Sequence, residues 1–534
     1  MKQWWPRLLF AVILAAAAAL RFCGLKWGLP NALHSYSYHP DEFLTIGAAV
    51  ITLSALLPRF YNYPSLYLYL GAAAIAVGAG YGLTNDAAGP YLCARVVTAL
   101  MGVGAVALTY WACRSVFQTR PAGLLAAFIL CVAPLHVQHS HFATVDVPST
   151  LFVAACLGFA GLVLKRGSWR DYILCGVMAG LAAGTKYNAG LVILSLIAAH
   201  FLGGKDRSVG FRRLLAGLGC AIAAFIISTP GVIFQWSAFT HGFLYEVVHS
   251  RTGHGLVFAG TGNGFVYTFT HSLWYGLGPA LAILFGIAAI YGLARLDRRA
   301  LTILAFALPY YALISLSQVR FARYSLPLFP AAALLIAWMA CDLWSRFPKG
   351  VKWAWAGLLT VVLAGTLLYT IALDRLFVMP DPRDRAARWI FANIPKSSAI
   401  GVVEVPWFYS PPYSKTIGFG ALQQRKDAMA SSDYILPPSE YDQREFPRWW
   451  IVSDYEVDDA ARIIRIPLAV TTANLDDCLR INGIAFVLEK YYRRTRSFSD
   501  PLSALGISFG STRSLPHDMR YPAPTIWIYE SKKQ

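Results

Sequence analysis

Charged residues are scarce in this sequence. Asp, Glu, Lys and Arg make up 14% of the 534 residues, whereas a soluble globular domain carries about 25%. Hydrophobic residues make up 57%, and the mean hydropathy is +0.49. This balance excludes an ordinary soluble protein and is typical of a chain that crosses a membrane several times.

Acidic residues and cysteines are also few. Asp plus Glu number 28 against 46 Lys plus Arg, which gives a net charge of +18. In a membrane protein this excess is expected from cytoplasmic loops, which collect Lys and Arg, so we predict no nucleic-acid partner. The 9 cysteines lie mostly inside apolar runs, and their spacing fits neither a zinc site nor a disulfide framework.

Long apolar runs are abundant, and a membrane span needs about 20 such residues. The candidate segments are Leu8–Phe22, Pro64–Leu83, Tyr91–Cys113, Pro121–Gln138, Val147–Leu164, Tyr172–Gly184, Ala189–Leu202, Leu214–Val232, Leu273–Leu293, Leu301–Leu316, Leu326–Trp344 and Ala354–Leu373. No small-residue cleavage site follows the first segment, so we expect it to remain as an anchor.

Basic loops orient these segments. The densest lie at 114–120, 165–170, 205–213, 295–299 and 346–352. They all share the side of Lys2 and Arg7 only if Pro64–Leu83 does not span. We therefore predict about 11 spans, a cytoplasmic N-terminus and a re-entrant or interfacial helix over Pro64–Leu83.

The predicted fold class is an α-helical polytopic membrane protein with a soluble C-terminal α/β domain. The membrane part covers residues 1–373, with outer loops at 23–90 and 233–271, and the polar domain covers 374–534. A helix is expected at Asp384–Asn393, and strands at Ile400–Val405, Trp449–Ser453, Ile484–Glu489 and Thr525–Tyr529. This domain has no P-loop and no GxGxxG motif, so no chemistry is assigned to it. We expect it in the periplasm, beside the inner membrane of the cell.

A broken helical hairpin is predicted over 172–202. Two short apolar helices are joined by residues 184–188 (GTKYN), which places Lys186 near membrane depth. A lysine there is costly unless it faces a wet cavity or an anion. Snorkelling to the lipid headgroups is the alternative explanation.

Candidate acidic residues lie in two places on the outer side. In the first outer loop, residues 39–42 (HPDE) give Asp41 as a candidate general base and Glu42 as a carboxylate that assists it or binds a metal. The alternative is a solvated loop in which these acids favour a helix dipole. Asp146, with His139 and His141, forms a second acidic site that could ligate a divalent ion, unless these histidines are simply polar helix-end residues.

Candidate basic residues are predicted on the same side. Arginine grips phosphate oxygens bidentately and stays charged, although interfacial anchoring would also explain cations here. The candidates are Arg95 near the outer end of a span, Arg251 and His254 in the loop 233–271, and Arg320 and Arg323 before a later span. Acids suited to a hydroxyl and cations suited to a phosphate would then share one face.

Several short segments together resemble a known family. In order they are HPDE at 39–42, NYPSL at 62–66, ARVV at 94–97, Asp146 followed by Pro148, GTKY at 184–187 and RYSLP at 323–327. Residues 1–373 thereby resemble the GT-C glycosyltransferases of the protein O-mannosyltransferase and aminoarabinose-transferase branch, which are dolichyl-phosphate-mannose–protein mannosyltransferase-like. The mannosyltransferase pattern has two prolines where this chain has Pro64-Ser65, which argues against assigning a protein acceptor.

The resemblance implies a polyprenyl-phosphate-linked sugar as donor and transfer on the outer face with inversion. Asp41 matches the catalytic base, and Lys186 with the outer arginines would bind the lipid phosphate. The implied partners are membrane lipid, the donor and an acceptor glycan, lipid or protein. No nucleotide cofactor is implied, while a divalent metal remains an alternative.

Two other classes of function compete with this one. A transporter or lipid flippase would carry ionisable residues near the midplane and paired broken helices in two halves, whereas this sequence has one broken hairpin and outer acids. A structural or assembly protein without catalysis is the third possibility. The transferase explains the combination of acids and cations best.

Overall fold

We describe the protein from a computed structural model. The structure describes residues 4–203, 207–255, 257–395, 398, 400–402, 408–412, 448–456 and 488–532. It is helical up to residue 393, and a small sheet follows.

The α-helices follow one another closely along the chain. They are α1 (Trp5–Phe22), α2 (Glu42–Ala55), α3 (Leu66–Gly80), α4 (Gly89–Phe117), α5 (Arg120–Cys131), α6 (Pro134–His139), α7 (Asp146–Arg166), α8 (Trp169–Thr185), α9 (Ile193–Leu202), α10 (Arg207–Ser228), α11 (Gly231–Phe234), α12 (Trp236–Thr252), α13 (Gly264–Tyr267), α14 (Trp274–Leu277), α15 (Pro279–Arg295), α16 (Arg298–Leu316), α17 (Leu328–Arg346), α18 (Lys349–Asp374) and α19 (Pro382–Asn393). Short 3-10 turns cover Tyr187–Val192, Ala322–Ser325 and Arg375–Phe377.

Among the described residues, 7 helices are long and apolar enough to cross a membrane: α1, α4, α7, α10, α16, α17 and the segment that begins with α18. Shorter apolar helices include α2, α3, α5 and α15. The chain is therefore a multi-pass membrane protein, as predicted. Helix α3 has 15 residues, which is short for a span, so a re-entrant or interfacial position for Pro64–Leu83 stays a prediction.

One apolar segment is interrupted where the sequence suggested continuity. The predicted segment Pro121–Gln138 divides into α5 and α6 around Ala133, which is extended at ψ 114°. Pro134 explains this break, because proline disfavours the helical conformation in the residue before it and lacks an N–H to continue the ladder.

The predicted outer loop 233–271 is largely helical rather than irregular. Helix α12, with 17 residues, is its longest element and is followed by Gly253, whose φ of 93° suits only glycine well. The sequence predicted a loop here because the glycines and aromatic residues of this stretch show no clear periodicity.

The broken hairpin is confirmed. Helix α8 begins with a capping box between Ser168 and Asp171 and ends at Thr185. Lys186 is extended, with φ −149° and ψ 120°, and a 3-10 turn over Tyr187–Val192 leads into α9. The break places the Lys186 side chain beside Asp146 at the start of α7 and Tyr324 before α17.

The C-terminal part contains a four-stranded sheet of order β1-β2-β6-β3. The strands are β1 (Ile400–Val402), β2 (Trp449–Ser453), β3 (Tyr492–Phe498) and β6 (Ile526–Ser531), and a separate hairpin pairs β4 (Ser503–Ala504) with β5 (Ile507–Ser508). β1 and β2 are parallel, with Ile400 opposite Trp449, whereas β6 runs antiparallel to β2 and β3. The prediction of an α/β domain is confirmed.

Some of the helices and strands predicted for the C-terminal domain are observed, and others are not. The helix at 384–393 and the strand at 449–453 are confirmed. Of the strand predicted at 484–489, residues 484–487 lie outside the described residues, and residues 488–491 are helical. Strand β3 was not predicted, because its run of arginines hides the alternation of a sheet whose outer face is solvated.

An aromatic cluster joins the first outer loop to the C-terminal domain. Trp27 and Tyr38 of the loop pack in one buried group with Phe142, Tyr455 and Tyr521. Trp27 also donates its indole N–H to the Asp381 carboxylate at 3.1 Å. These contacts hold the C-terminal domain over the same end of the bundle that carries Asp41 and Lys186.

Close packing of α8 on α10 should be sensitive to a single methyl group. A Cβ at Gly176 would lie 1.9 Å from the Gly217 carbonyl oxygen, while a Cβ at Gly219 would have no heavy atom within 4 Å. We predict that Gly176→Ala destabilises the protein by about 1–3 kcal/mol, since small residues allow such helices to approach. Thermal unfolding of the purified protein in detergent measures this. Gly219→Ala is the matched control and should leave the midpoint nearly unchanged; equal midpoints for both variants would contradict the prediction.

Candidate functional site

Asp41 lies directly before α2, in the predicted first outer loop. Its backbone N–H donates to Nδ1 of His39 at 3.3 Å. Its carboxylate forms an ion pair with Arg323, with Oδ2 and Nη2 separated by 3.0 Å, and its side chain is 19% exposed. The sequence motif therefore ends in a carboxylate that is paired but still open to solvent.

Arg323 lies in the 3-10 turn Ala322–Ser325 between α16 and α17. Its guanidinium carbon is 3.9 Å from the centroid of the Phe321 ring, close enough for a cation–π interaction. The side chain is only 6% exposed. The short turn and the stacked ring hold this cation in one place.

A second ion pair lies beside the first. Lys186 Nζ is 2.5 Å from Asp146 Oδ1, and both side chains are at most 10% exposed. The Tyr324 ring contacts both cations, with its centroid 4.7 Å from Lys186 Nζ and 5.8 Å from the Arg323 guanidinium carbon. Two of the predicted phosphate-binding cations and two of the three predicted acids, Asp41 and Asp146, thus meet at one site.

The surroundings change the acidity of Asp41. Burial raises the pKa of Asp41 above its ordinary value, while the neighbouring Arg323 opposes this shift and Asp146 adds to it. A carboxylate with a raised pKa accepts a proton more readily than an ordinary aspartate does. The site therefore suits a general base at this position.

Glu42 and Arg95 are bound to each other instead of facing the site. Both side chains are 0% exposed, and Arg95 donates to both carboxylate oxygens of Glu42 at 2.7 and 2.6 Å. The remaining Arg95 donors reach the carbonyls of Leu25 and Trp27 and the Ser37 hydroxyl. Every guanidinium nitrogen is engaged, so the predicted contact of Arg95 with phosphate has no donor left to make it.

Glu42 likewise has no oxygen left for a substrate or a metal. Besides Arg95, it accepts the Ser37 hydroxyl at 2.5 Å and the Ala143 backbone N–H at 2.6 Å. A fully paired and hydrogen-bonded buried charge ties the first outer loop to α4 and to the turn before α7. The adjacent acids of the motif thus differ, since Glu42 organises the loop and Asp41 faces the cations.

The other predicted cations lie apart from the acids. Arg320 donates to Thr261 Oγ1 and the Gly262 carbonyl, both at 2.8 Å. Arg251 is exposed on α12. Nε2 of His249 and Nδ1 of His254, also from this region, are 3.0 Å apart. Of the predicted arginines, Arg323 is the one that the structure brings to Asp41.

The predicted metal ligands have different partners. The ring nitrogens of His141 face the carbonyls of Val137 and Cys23 at 3.0 and 2.7 Å, while Asp146 is paired with Lys186. His139 is buried, with Nε2 3.9 Å from Asp518 Oδ2. Over the parts of the chain that the structure describes, no three His, Cys, Asp or Glu side chains are grouped to hold a metal ion.

Two contributors to the site were missed by the sequence analysis. Glu246 of α12 accepts the side-chain amide of Asn62 at 3.1 Å, and it lies near enough to Asp41, Arg323 and Lys186 to interact electrostatically with each. A lone glutamate in a helix has no motif; its one signal is that no other Asp or Glu occurs in the stretch 233–271.

Asp518 of the C-terminal domain is the second contributor that the sequence analysis missed. Its carboxylate accepts the backbone N–H groups of Ala322 and Arg323, each at 2.9 Å, and its side chain is 0% exposed. The domain was assigned no chemistry because it has no recognisable motif. Only the folded chain brings this carboxylate to the turn that carries Arg323.

Comparisons with known proteins agree with this architecture. Residues 89–234 match the family described as dolichyl-phosphate-mannose-protein mannosyltransferase. No curated protein matches the sequence.

Solved structures share the fold at low identity. ArnT from Cupriavidus metallidurans bound to undecaprenyl phosphate is 18% identical with a TM-score of 0.50, and the match covers 73% of each chain. The same protein in the apo state is 15% identical with a TM-score of 0.52, covering 84% of this chain and 94% of ArnT. The oligosaccharyltransferase AglB from Archaeoglobus fulgidus is 13% identical with a TM-score of 0.52, covering 98% of this chain and 77% of AglB. The matched segment and the shared fold confirm the resemblance seen in the sequence: residues 89–234 match the mannosyltransferase family model, and the chain has the fold of ArnT and AglB.

Proposed function

We propose that the protein transfers a sugar from a polyprenyl-phosphate-linked donor to an acceptor hydroxyl, or a similar group, on the outer face of the membrane, with inversion. The observation that carries this proposal is the meeting of the Asp41–Arg323 and Lys186–Asp146 ion pairs around Tyr324. ArnT, which shares the fold, is described as binding undecaprenyl phosphate, and AglB as binding a dolichol phosphate and an inhibitory peptide.

Lys186 and Arg323 are proposed to bind the donor phosphate. They are two cations held close together at a weakly solvated site, where electrostatic interactions are strong. When the sugar leaves, the lipid phosphate gains negative charge, and fixed cations stabilise that charge without reorganising. No nucleotide is needed, because the lipid phosphate is itself the leaving group.

Asp41 is proposed to take the proton from the acceptor. General-base catalysis requires a carboxylate within hydrogen-bond reach of the attacking hydroxyl, and Asp41 is the partly exposed carboxylate of the pair. The hydroxyl oxygen would attack the anomeric carbon from the side opposite the phosphate, which inverts that carbon. Acceptors in this scheme are a glycan, a lipid or a protein that presents such a group.

The orientation of the chain follows from the same scheme. We infer that the N-terminus is cytoplasmic and that the C-terminal domain lies in the periplasm or its equivalent, beside the site. The loops rich in Lys and Arg then lie on the cytoplasmic side, as the distribution of these residues in membrane proteins favours.

Asp41→Asn should abolish transfer while leaving the protein folded, because the amide cannot accept the proton. Purified protein incubated with a radiolabelled polyprenyl-phosphate sugar and an acceptor extract reports loss of label from the lipid. Asp86→Asn is the matched control: Asp86 belongs to the same outer loop and accepts the backbone N–H groups of Ala88 and Gly89. Full activity of Asp41→Asn, or equal loss in the control, would overturn the assignment.

The rate should depend on pH in a defined direction. Because burial raises the pKa of Asp41 above its ordinary value of 3.8, the base is protonated and inactive below that raised pKa. We expect kcat/KM to fall by about tenfold per pH unit on the acidic side, with the fall beginning above pH 3.8. A profile that stays flat down to that value would contradict an aspartate base with a raised pKa.

Lys186 should bind donor and not merely neutralise Asp146. Lys186→Met leaves a buried carboxylate unpaired, which costs about 3–5 kcal/mol of stability, and it removes a phosphate contact. The double variant Lys186→Met with Asp146→Asn restores neutrality at the site. We expect it to regain thermal stability but to keep a strongly raised KM for the lipid-linked sugar. Recovery of both properties would show that Lys186 serves the fold alone.

A further inference from the structure

A short segment of the C-terminal domain reaches the site. The 3-10 turn His517–Met519 places the Asp518 carboxylate at the N-terminal end of the turn Ala322–Ser325. Asp518 Oδ1 accepts the Ala322 N–H and Oδ2 accepts the Arg323 N–H, each at 2.9 Å. The carboxylate thus fixes the backbone from which the Arg323 side chain extends.

The same segment also contacts the Arg323 guanidinium. Nη1 lies 3.4 Å from the Tyr521 hydroxyl oxygen and 3.9 Å from Asp518 Oδ2. Nη2 lies 3.0 Å from Asp41 Oδ2 on the other side. The guanidinium is therefore held between the first outer loop and the C-terminal domain.

Residues 517–521 are themselves anchored from two directions. Gln138, from α6 in the membrane part, donates its side-chain amide to the Met519 carbonyl at 2.8 Å. Arg383, at the start of the C-terminal domain, donates to the Tyr521 carbonyl at 2.8 Å. Both anchors hold backbone carbonyls of residues that closely follow Asp518 in the chain, and so restrict how far its carboxylate can move.

Packing alone does not call for this carboxylate. Burying a charge is costly, and replacement of a buried ion pair by apolar residues is often neutral or stabilising. Asp518 is 0% exposed and belongs to a domain that otherwise contributes no acid to the site among the described residues. Its contacts go to the turn that carries the cation nearest to Asp41.

We propose that Asp518 is a positioning residue of the transferase site, which holds Arg323 where the donor phosphate binds, with Tyr521 in support. This inference rests on the function proposed above and extends it to the C-terminal domain. The domain then completes the phosphate-binding site through Arg323 without itself contacting the donor.

Because Asp518 is charged, the direction in which its neutralisation changes phosphate affinity tests the proposal. By charge alone, a carboxylate near the phosphate site repels an anion, so neutralising it would tighten phosphate binding. By position, the loss of a charged hydrogen-bond acceptor frees the Arg323 turn and weakens binding. The two effects change phosphate affinity in opposite directions. A carboxylate that acts only through its charge would therefore not give the result expected for a positioning residue.

The experiment measures equilibrium binding of radiolabelled undecaprenyl phosphate to the full-length protein in detergent micelles. Asp518→Asn should raise Kd by about 10- to 100-fold, the size expected for a lost hydrogen bond to a charged group. In an Arg323→Ala background the same substitution should cause no further loss, because Asp518 acts through Arg323. Tighter binding by Asp518→Asn, or an equal loss in both backgrounds, would overturn the proposal.

Asp500→Asn is the matched control. Asp500 is a buried carboxylate of the same domain, and it pairs with Arg385 at 2.7 Å instead of with Arg323. The Asp500→Asn variant should leave the Kd for undecaprenyl phosphate unchanged even if it lowers stability. Should Asp518→Asn fail to fold, Tyr521→Phe keeps the backbone contacts of Asp518 and removes only the hydroxyl; it should raise Kd by about threefold or more, and an unchanged Kd would then overturn the proposal.

The same measurement separates this inference from the proposed function. If the unmodified protein does not bind undecaprenyl phosphate or a shorter polyprenyl phosphate, the proposed function fails and the inference falls with it. If the protein binds and Asp518→Asn behaves like Asp500→Asn, the inference alone is wrong.

Discussion

The Arg323 guanidinium joins three parts of the chain that are distant in sequence. Its Nη2 pairs with Asp41 of the first outer loop at 3.0 Å, its Nη1 faces Asp518 and Tyr521 of the C-terminal domain, and its backbone belongs to the turn between α16 and α17. A cation that is 6% exposed must be paired to remain charged at tolerable cost. The loop, the turn and the domain therefore have to adopt their mutual arrangement together, and the site exists only where they meet.

Two buried arginines in this region illustrate different uses of the same chemistry. Arg95 has all its nitrogens engaged with Glu42, backbone carbonyls and Ser37, and the pair is 0% exposed. Such a closed network fixes the loop but offers nothing to a ligand. Arg323 shares its charge with Asp41, whose side chain keeps 19% exposure. An incoming anion can compete for that charge, which is why we place the chemistry at Arg323 and the structural role at Arg95.

The sequence predicted the parts of the site that short motifs encode. The residues 39–42, the break at Lys186 and the turn at Arg323 each combine a helix boundary with a charged residue, and local rules describe such boundaries. The Glu42–Arg95 pair could not be predicted, because its members are 53 positions apart and each alone resembles a functional residue. Asp518 could not be predicted either, since its role depends on how the sheet docks on the bundle and leaves no periodic signal. The multi-pass class and the α/β domain followed from composition, while β3 was obscured by its solvated arginines.

The pairing of Asp41 with Arg323 also bears on the order of events under the proposed function. While the guanidinium is bound to Asp41, it stabilises the charged carboxylate and makes it a weaker base. A donor phosphate that draws on the same guanidinium reduces that stabilisation, and Asp41 then becomes a stronger base when the sugar is in place. Asp518 limits the change, because it holds the Arg323 backbone and thus keeps the cation near both partners. Activation of the acceptor would in this way be coupled to donor binding through a single shared cation.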